Sequence, residues 1–364
     1  MGMRYVFKGN ETVGAALRRA LEVSGWTETD DLEGADAAFT YFTSLSALED
    51  AYFDGEGLIQ RMKEDALLVD LSPATPGFAR ECAAIAEVNG LHPIEAPLIV
   101  ASFEDDDPFA DAANLACFVA GEEGDVERAR ALLEPLAATV TPMGTSGSAQ
   151  LARAAYTLQV TAQIVSAIEA EALFAATQRL VTSAGHLTGA VGAVGAAVPQ
   201  AACVLARIVE ERFDGAYTVE MFLAEVAAAM SAADDVDLIL PQAESVVHLI
   251  ELLVVVGGPE RGLASLALLY REEAEGARRG LDWSRAERLY ASKGHERAHE
   301  HDYGHENGRS FEDDDRDGEA YASELFDDDA VGMYEDYDYD YVYDDEEDDD
   351  DPEHYPGFGR FSSN

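Results

Sequence analysis

Residues 141–180, TPMGTSGSAQLARAAYTLQVTAQIVSAIEAEALFAATQRL, constrain the architecture more than any other stretch. A hinge rich in glycine and serine, Gly144 to Ser148, leads into helix-compatible sequence of about eight turns at 3.6 residues per turn. Before it the chain alternates short β-like and helical segments; after it the pattern is nearly all helical. The stretch therefore reads as a connecting helix between an α/β part and an all-α part, with a candidate site at its first turn. Leu151, Leu158, Val165, Ile168 and Ala172 recur at spacings of three, four and seven, which predicts a buried stripe along it.

The chain opens with MRYVFK at residues 3–8, which has strand character, and Gly9 and Asn10 break it. A helix follows over residues 11–24, with Val13, Leu17 and Leu21 spaced by four. Strand, turn and helix in this order begin a dinucleotide-binding domain. The turn, Gly9-Asn10-Glu11-Thr12-Val13-Gly14, is a GxGxxG pattern with Glu11 at the middle glycine. That glycine normally lets the backbone approach a pyrophosphate at the helix N-terminus, and a glutamate adds bulk and negative charge there. At this level Gly9, Asn10 and Gly14 are candidate cofactor residues, and a plain strand–helix turn is the alternative.

Between Trp26 and Ala35 there is little room for the second strand, helix and third strand of a full mononucleotide-binding half. Asp30 and Asp31 read as loop carboxylates. Strands are expected at 35–43, 66–71, 90–96 and 116–120; ALLVDL at 66–71 is apolar throughout, as a parallel strand buried on both faces requires. Helices are expected at 47–53, 58–62, 77–89 and 125–137, then at 218–233, 245–256, 262–270 and 283–291. Glu104-Asp105-Asp106-Asp107-Pro108 reads as a solvated insertion. The fold class is α/β followed by all-α. It divides into a shortened Rossmann-like parallel-sheet domain at 1–141, a helical domain at 142–291 and a disordered acidic tail at 292–364.

Charge narrows the partners. The formal net charge is −48, and residues 301–364 alone hold 25 acidic against 3 basic side chains. Such a surface repels nucleic-acid backbones and anionic lipid, so neither is expected as a partner. Cys82, Cys117 and Cys203 are scattered in apolar context without a CxxC pair, which fits a reducing cytoplasm. No signal peptide is evident, and the longest apolar stretches, 189–208 and 246–256, are interrupted or too short to span a bilayer. His295, His299, His301 and His305 include two i, i+4 pairs, but a solvated terminal run is the favoured reading and no metal is assigned. The acidic, tyrosine-interleaved residues 335–351 repel one another and are expected to stay extended as a solubiliser.

Three stretches in register carry a resemblance. They are ADAAFTYFTSLSALEDAYFDGEGLIQRMKEDALLVDLSPATP, FVAGEEGDVERARALLEPLAATVTPMGTSGSAQLARAAYT and FLAEVAAAMSAADDVDLILP. Together they resemble the β-hydroxyacid dehydrogenase family, which includes 3-hydroxyisobutyrate and 6-phosphogluconate dehydrogenases. The resemblance runs from Ala35 to about Tyr270. It implies an NAD or NADP cofactor, a small-molecule substrate and a homodimer formed through the connecting helix.

The resemblance also implies a site, and this chain departs from it. The position of the family's acid/base lysine is Arg153, which stays charged near neutral pH and is a poor proton shuttle, though it can hold a carboxylate. The paired asparagines are Tyr156 and Thr157. The Ser-Gly-Gly segment is Ile99-Val100-Ala101, and the later Lys-Asp pair is Ala224-Glu225. Ser72, Pro76, Ala96-Pro97, Gly147 and Gln150 match. The candidate catalytic residues are thus Arg153 and Tyr156, the cofactor residues Gly9, Asn10, Gly14, Thr43 and Ser72, and the substrate residues Ser72, Gln150 and Arg153. The leading expectation is an NAD(P)-dependent oxidoreductase with an altered substrate. The alternative is a family member without catalysis that acts as a binding, scaffold or regulatory subunit.

Overall fold

The computed structural model describes residues 2–177 and 199–289, and these fall within one compact unit. The first half of the apolar stretch at 189–208, the histidine cluster and the acidic tail lie outside the described residues.

Eight strands form one sheet. β1 (Arg4–Gly9), β3 (Ala37–Tyr41), β4 (Leu67–Asp70) and β5 (His92–Glu95) are parallel neighbours. β2 (Thr27–Glu28) adds two residues beside β1, so the second strand of the nucleotide half exists only as a remnant. β4 is buried along its whole length and paired on both sides, as its unbroken apolar run requires.

Pro97 cannot donate to a ladder, and the strand divides around it into β5 and β6 (Leu98–Val100). Both run antiparallel to β7 (Leu115–Gly121), whose other edge carries β8 (Thr139–Gly144) in parallel. β6 and β8 are additions to the expected strands. β6 is only three residues long, and β8 is half-buried to exposed, so neither has a clear pattern.

Helices α1 (Glu11–Val23), α2 (Leu45–Phe53), α3 (Leu58–Arg61), α4 (Pro76–Val88) and α5 (Glu123–Leu133) belong to the sheet region. The connecting helix is α6 (Ser148–Thr177), 30 residues long, followed by α7 (Pro199–Val209), α8 (Val219–Asp234), α9 (Pro241–Gly257) and the short α10 (Glu273–Arg278). Residues 263–270 form a 3-10 helix instead of the expected α-helix.

The stripe expected on α6 is corrected at its first member. Leu151 is 61% exposed, whereas Ile168 is buried. At 100° per residue the two stand about 100° apart around the helix. The buried face runs instead through Ala149, Arg153, Thr157, Val160, Ile164 and Ile168.

The acidic insertion is exposed at residues 104–106, as expected, and it is also tied down. Asp106 pairs with Arg207 and Arg212 across the chain, while Asp105 and Asp107 accept from Asn114 and the Phe109 N–H nearby. A sequence window sees only the carboxylates; the arginines that hold them lie about a hundred residues away.

Candidate functional site

The glycine turn between β1 and α1 is a strand–turn–helix of close fit. Gly9 has φ +127°, and a Cβ there would lie 1.9 Å from the Tyr41 carbonyl oxygen, so only glycine lets β1 end this near β3. A Cβ on Gly14 would stand 2.6 Å from the Phe7 ring, which fixes the close packing of α1 on β1. Asn10 is the N-cap of α1, and its Oδ1 accepts from the N–H groups of Thr12 and Val13 at 3.0 and 3.4 Å. N–H groups at the start of a helix are the ones a phosphate would use, and here they are taken up by the cap. Glu11 adds a carboxylate to the first turn and pairs with Arg18. As folded, the turn is capped by its own Asn10 side chain.

The other candidate cofactor residues also have internal partners. Thr43 Oγ1 donates to Glu220 Oε1 on α8 at 2.7 Å, which ties the end of β3 to the helical part. Ser72 is fully buried; its Oγ accepts from the Phe42 N–H at 3.0 Å.

Gln150, the substrate candidate on α6, holds the β4–α4 turn from both ends of its amide. Nε2 donates to the Ser72 carbonyl at 3.0 Å and Oε1 accepts from the Ala74 N–H at 3.1 Å. Glu95 at the end of β5 caps α6, its two oxygens accepting from the N–H groups of Ala149 and Gln150 at 3.2 and 3.3 Å. Burial pushes the Glu95 carboxyl up to about 7, with the backbone hydrogen bonds opposing. Asp70 at the end of β4, buried and accepting from Thr40 Oγ1 and the Ser72 N–H, is pushed up by burial to about 6.

Arg153 and Glu225 form the centre of the cleft between the sheet and the helices. Their side chains are 3% and 8% exposed, and they pair directly, Arg153 from α6 and Glu225 from α8. Arg153 Nη1 also reaches Thr157 Oγ1 at 3.4 Å, while its Nε has no hydrogen-bond partner. Burial opposes the Arg153 charge, but Glu225 more than offsets this and the guanidinium stays protonated. Burial also raises the Glu225 carboxyl, with Arg153 and the Tyr217 hydroxyl pulling it back.

The space left beside this pair is a cavity of about 10 Å³, no more than one water can occupy. Ile99, Val100, Phe103, Tyr156, Tyr217 and Glu225 line it. Tyr156 thus reaches the same place as Arg153, as the i, i+3 spacing predicts. Its hydroxyl lies 3.4 Å from Gln200 Nε2, and burial raises its pKa, so it is a weaker acid than a free tyrosine.

Sequence reading missed the closing residues: Glu225 as the partner of Arg153, Glu220 as the partner of Thr43, and Tyr217. One signal was present. An arginine in place of the lysine and a glutamate in the position of the later Lys-Asp pair are a matched change of opposite charges. Among the described residues there is no group of three or more metal-ligating side chains placed to hold an ion.

Comparison with known proteins fits this architecture. Residues 10–144 match the NAD binding domain of 6-phosphogluconate dehydrogenase. A probable 3-hydroxyisobutyrate dehydrogenase of Mycobacterium tuberculosis is 30% identical over 162 residues, 43% of this chain and 51% of that protein. An NAD-dependent L-serine dehydrogenase of Pseudomonas aeruginosa is 26% identical over 144 residues, 40% of this chain and 47% of its own length. The chain therefore spans about half the length of the curated relatives it matches. Two solved structures share the fold at 18% identity. They are M. tuberculosis 3-hydroxyisobutyrate dehydrogenase with L-serine (TM-score 0.60, 75% of this chain and 100% of that one) and Psf3 in complex with NADP+ and 2-OPP (TM-score 0.62, 74% and 100%). Residues 10–144 are thus similar to the NAD binding domain of 6-phosphogluconate dehydrogenase, and the described chain shares its fold with 3-hydroxyisobutyrate dehydrogenase.

Proposed function

We propose that this chain is a family member that keeps the NAD(P)-binding domain but does not transfer hydride to or from a hydroxyacid, and that it acts as a binding or regulatory subunit. The observation that carries this reading is the buried Arg153–Glu225 pair. It puts an ion pair where the resemblance implies a proton-transferring lysine and leaves space for about one water beside it. Asn10 and Glu11 at the glycine turn, and Thr43 bound to Glu220, support it further by weakening the hold on a nucleotide.

The parts of this proposal are a nucleotide domain at 1–141, a helical domain at 142–291 and an acidic tail at 292–364. A homodimer through α6 also belongs to it. The exposed face of that helix carries Leu151, Ala155, Gln159, Ser166 and Leu173 with Glu169 among them, and a mostly uncharged face on a long helix suits a partner helix. The helices of the described residues include none long and apolar enough to cross a membrane, and a cytoplasmic location is part of the same proposal.

The test is a paired one. NADH and NADPH are titrated by nicotinamide fluorescence, and turnover is measured separately with 3-hydroxyisobutyrate and L-serine. Weak binding without turnover supports the reading; turnover overturns it. A second reading, reduction of a carbonyl or imine without a lysine, is favoured by the Tyr156 hydroxyl lining the cavity. It requires NADPH oxidation with a cyclic imine that a Tyr156→Phe variant abolishes.

A further inference from the structure

The loop that follows β6 crosses from the sheet edge to the helical part, and each of its acidic residues has a fixed contact. The Glu104 carbonyl accepts from Arg212 Nη2 at 3.3 Å, Asp105 accepts from Asn114 Nδ2 at 3.3 Å, and Asp107 Oδ1 accepts from the Phe109 N–H at 3.0 Å. Asp106 makes the longest reach. Its Oδ1 lies 2.9 Å from Arg207 Nη1 and 2.8 Å from Arg212 Nη2, and its carbonyl accepts from the Ala216 N–H at 2.7 Å. Between these contacts Phe103 is buried against Tyr217, ring centres 5.1 Å apart, and both rings line the cavity beside Glu225.

We propose that residues 101–107 are a strap that holds the cleft shut by pressing Phe103 onto Tyr217, and that Asp106 is its bolt. The inference rests on reading the cleft as closed and adds how the closure is regulated. Two ion-pair clasps flank the cavity, one between α6 and α8 and one between the strap and the helical part, and they differ in kind. Arg153–Glu225 is buried and beyond the reach of salt. Asp106 is 70% exposed on its side chain, so its pairs are screened by ions and are the first to release. Arg207, 7% exposed, is the asymmetry that makes the bolt act as a switch: without Asp106 it keeps a buried charge beside the Asp214 carbonyl, with no carboxylate to match it among its contacts in the described residues. Release therefore disfavours the closed arrangement as well as freeing the loop. The space uncovered is lined by Ile99, Val100, Phe103 and Tyr217 and suits a small apolar molecule.

Hydrogen exchange of the full chain, followed by mass spectrometry, tests this without any nucleotide, so it can fail while the reading of the cleft stands. In Asp106→Asn, amides of the strap and of Ala216 should exchange at least about tenfold faster, with the amides of β3 and β4 unchanged. The same rates as wild type at Ala216 and the strap would overturn the proposal. If Asp106→Asn loses its fold, seen as fast exchange in β3 and β4, Arg212→Ala decides. It removes the exposed half of the clasp and should speed strap exchange severalfold with the sheet intact; unchanged strap exchange overturns the proposal.

Discussion

Arg153 on α6 and Glu225 on α8 are joined by a buried ion pair at the point where the sheet meets the helical part. A pair of this kind is a poor source of net stability, because both charges lose water, yet removing one partner strands the other. Arg153→Ala or Glu225→Ala alone should therefore destabilise the chain by about 3–5 kcal/mol. The double variant Arg153→Met/Glu225→Leu should recover most of that loss. Urea denaturation of the four proteins checks it; a double variant as weak as the sum of the singles would show that the pair is not an isolated unit.

The glycine turn gives a gain-of-binding prediction. Asn10→Gly with Glu11→Gly frees the Thr12 and Val13 N–H groups and removes a negative charge from the first turn of α1. The loss of the cap to glycine costs only a few tenths of a kcal/mol. NADH or NADPH should bind roughly tenfold more tightly, a gain of about 1.4 kcal/mol. Fluorescence titration reads this, and weaker binding than wild type would place the nucleotide elsewhere.

The contrast between these two sites shows what a sequence reveals. The parallel strands β1, β3, β4 and β5, the long helix α6 and the arrival of Tyr156 beside Arg153 were legible because periodicity and spacing are local. The Asn10 cap was nearly so, since its partners lie two and three residues away. Glu225, Glu220 and the Asp106 clasp were not, because their partners are 72, 177 and about a hundred positions distant, and no local pattern records such a pairing. The position of Leu151 was misread for another reason: a mixed three–four–seven spacing drifts around a straight helix.

Glu95 carries a pH dependence. Its folded pKa of about 7 lies above the ordinary 4.5, so the folded chain holds this proton more tightly than the unfolded chain. The associated stability is complete below about pH 4.5 and is lost as pH rises through about 7. At ~1.4 kcal/mol per pH unit the loss is about 3 kcal/mol. Asp70, raised to about 6, acts in the same direction. Glu95→Gln should flatten the difference in denaturation free energy between pH 5 and pH 8 relative to wild type; an equal slope in both proteins would contradict the assignment.

Thr43 and Glu220 offer a milder test of closure. Thr43→Val removes a hydrogen bond to a partly buried carboxylate, which should cost about 1.5–3 kcal/mol. Thermal denaturation reads the loss, and no change in midpoint would mean that the contact between β3 and α8 does not hold the cleft.

We infer that the Arg153–Glu225 pair stands in place of a proton-transferring lysine. The most direct test of this is turnover by the full wild-type chain with 3-hydroxyisobutyrate and with L-serine, NAD+ and NADP+ each tested, followed by nicotinamide absorbance. No reduced cofactor should form above the protein-free rate. Sustained formation that tracks protein concentration and disappears in Arg153→Ala would contradict it.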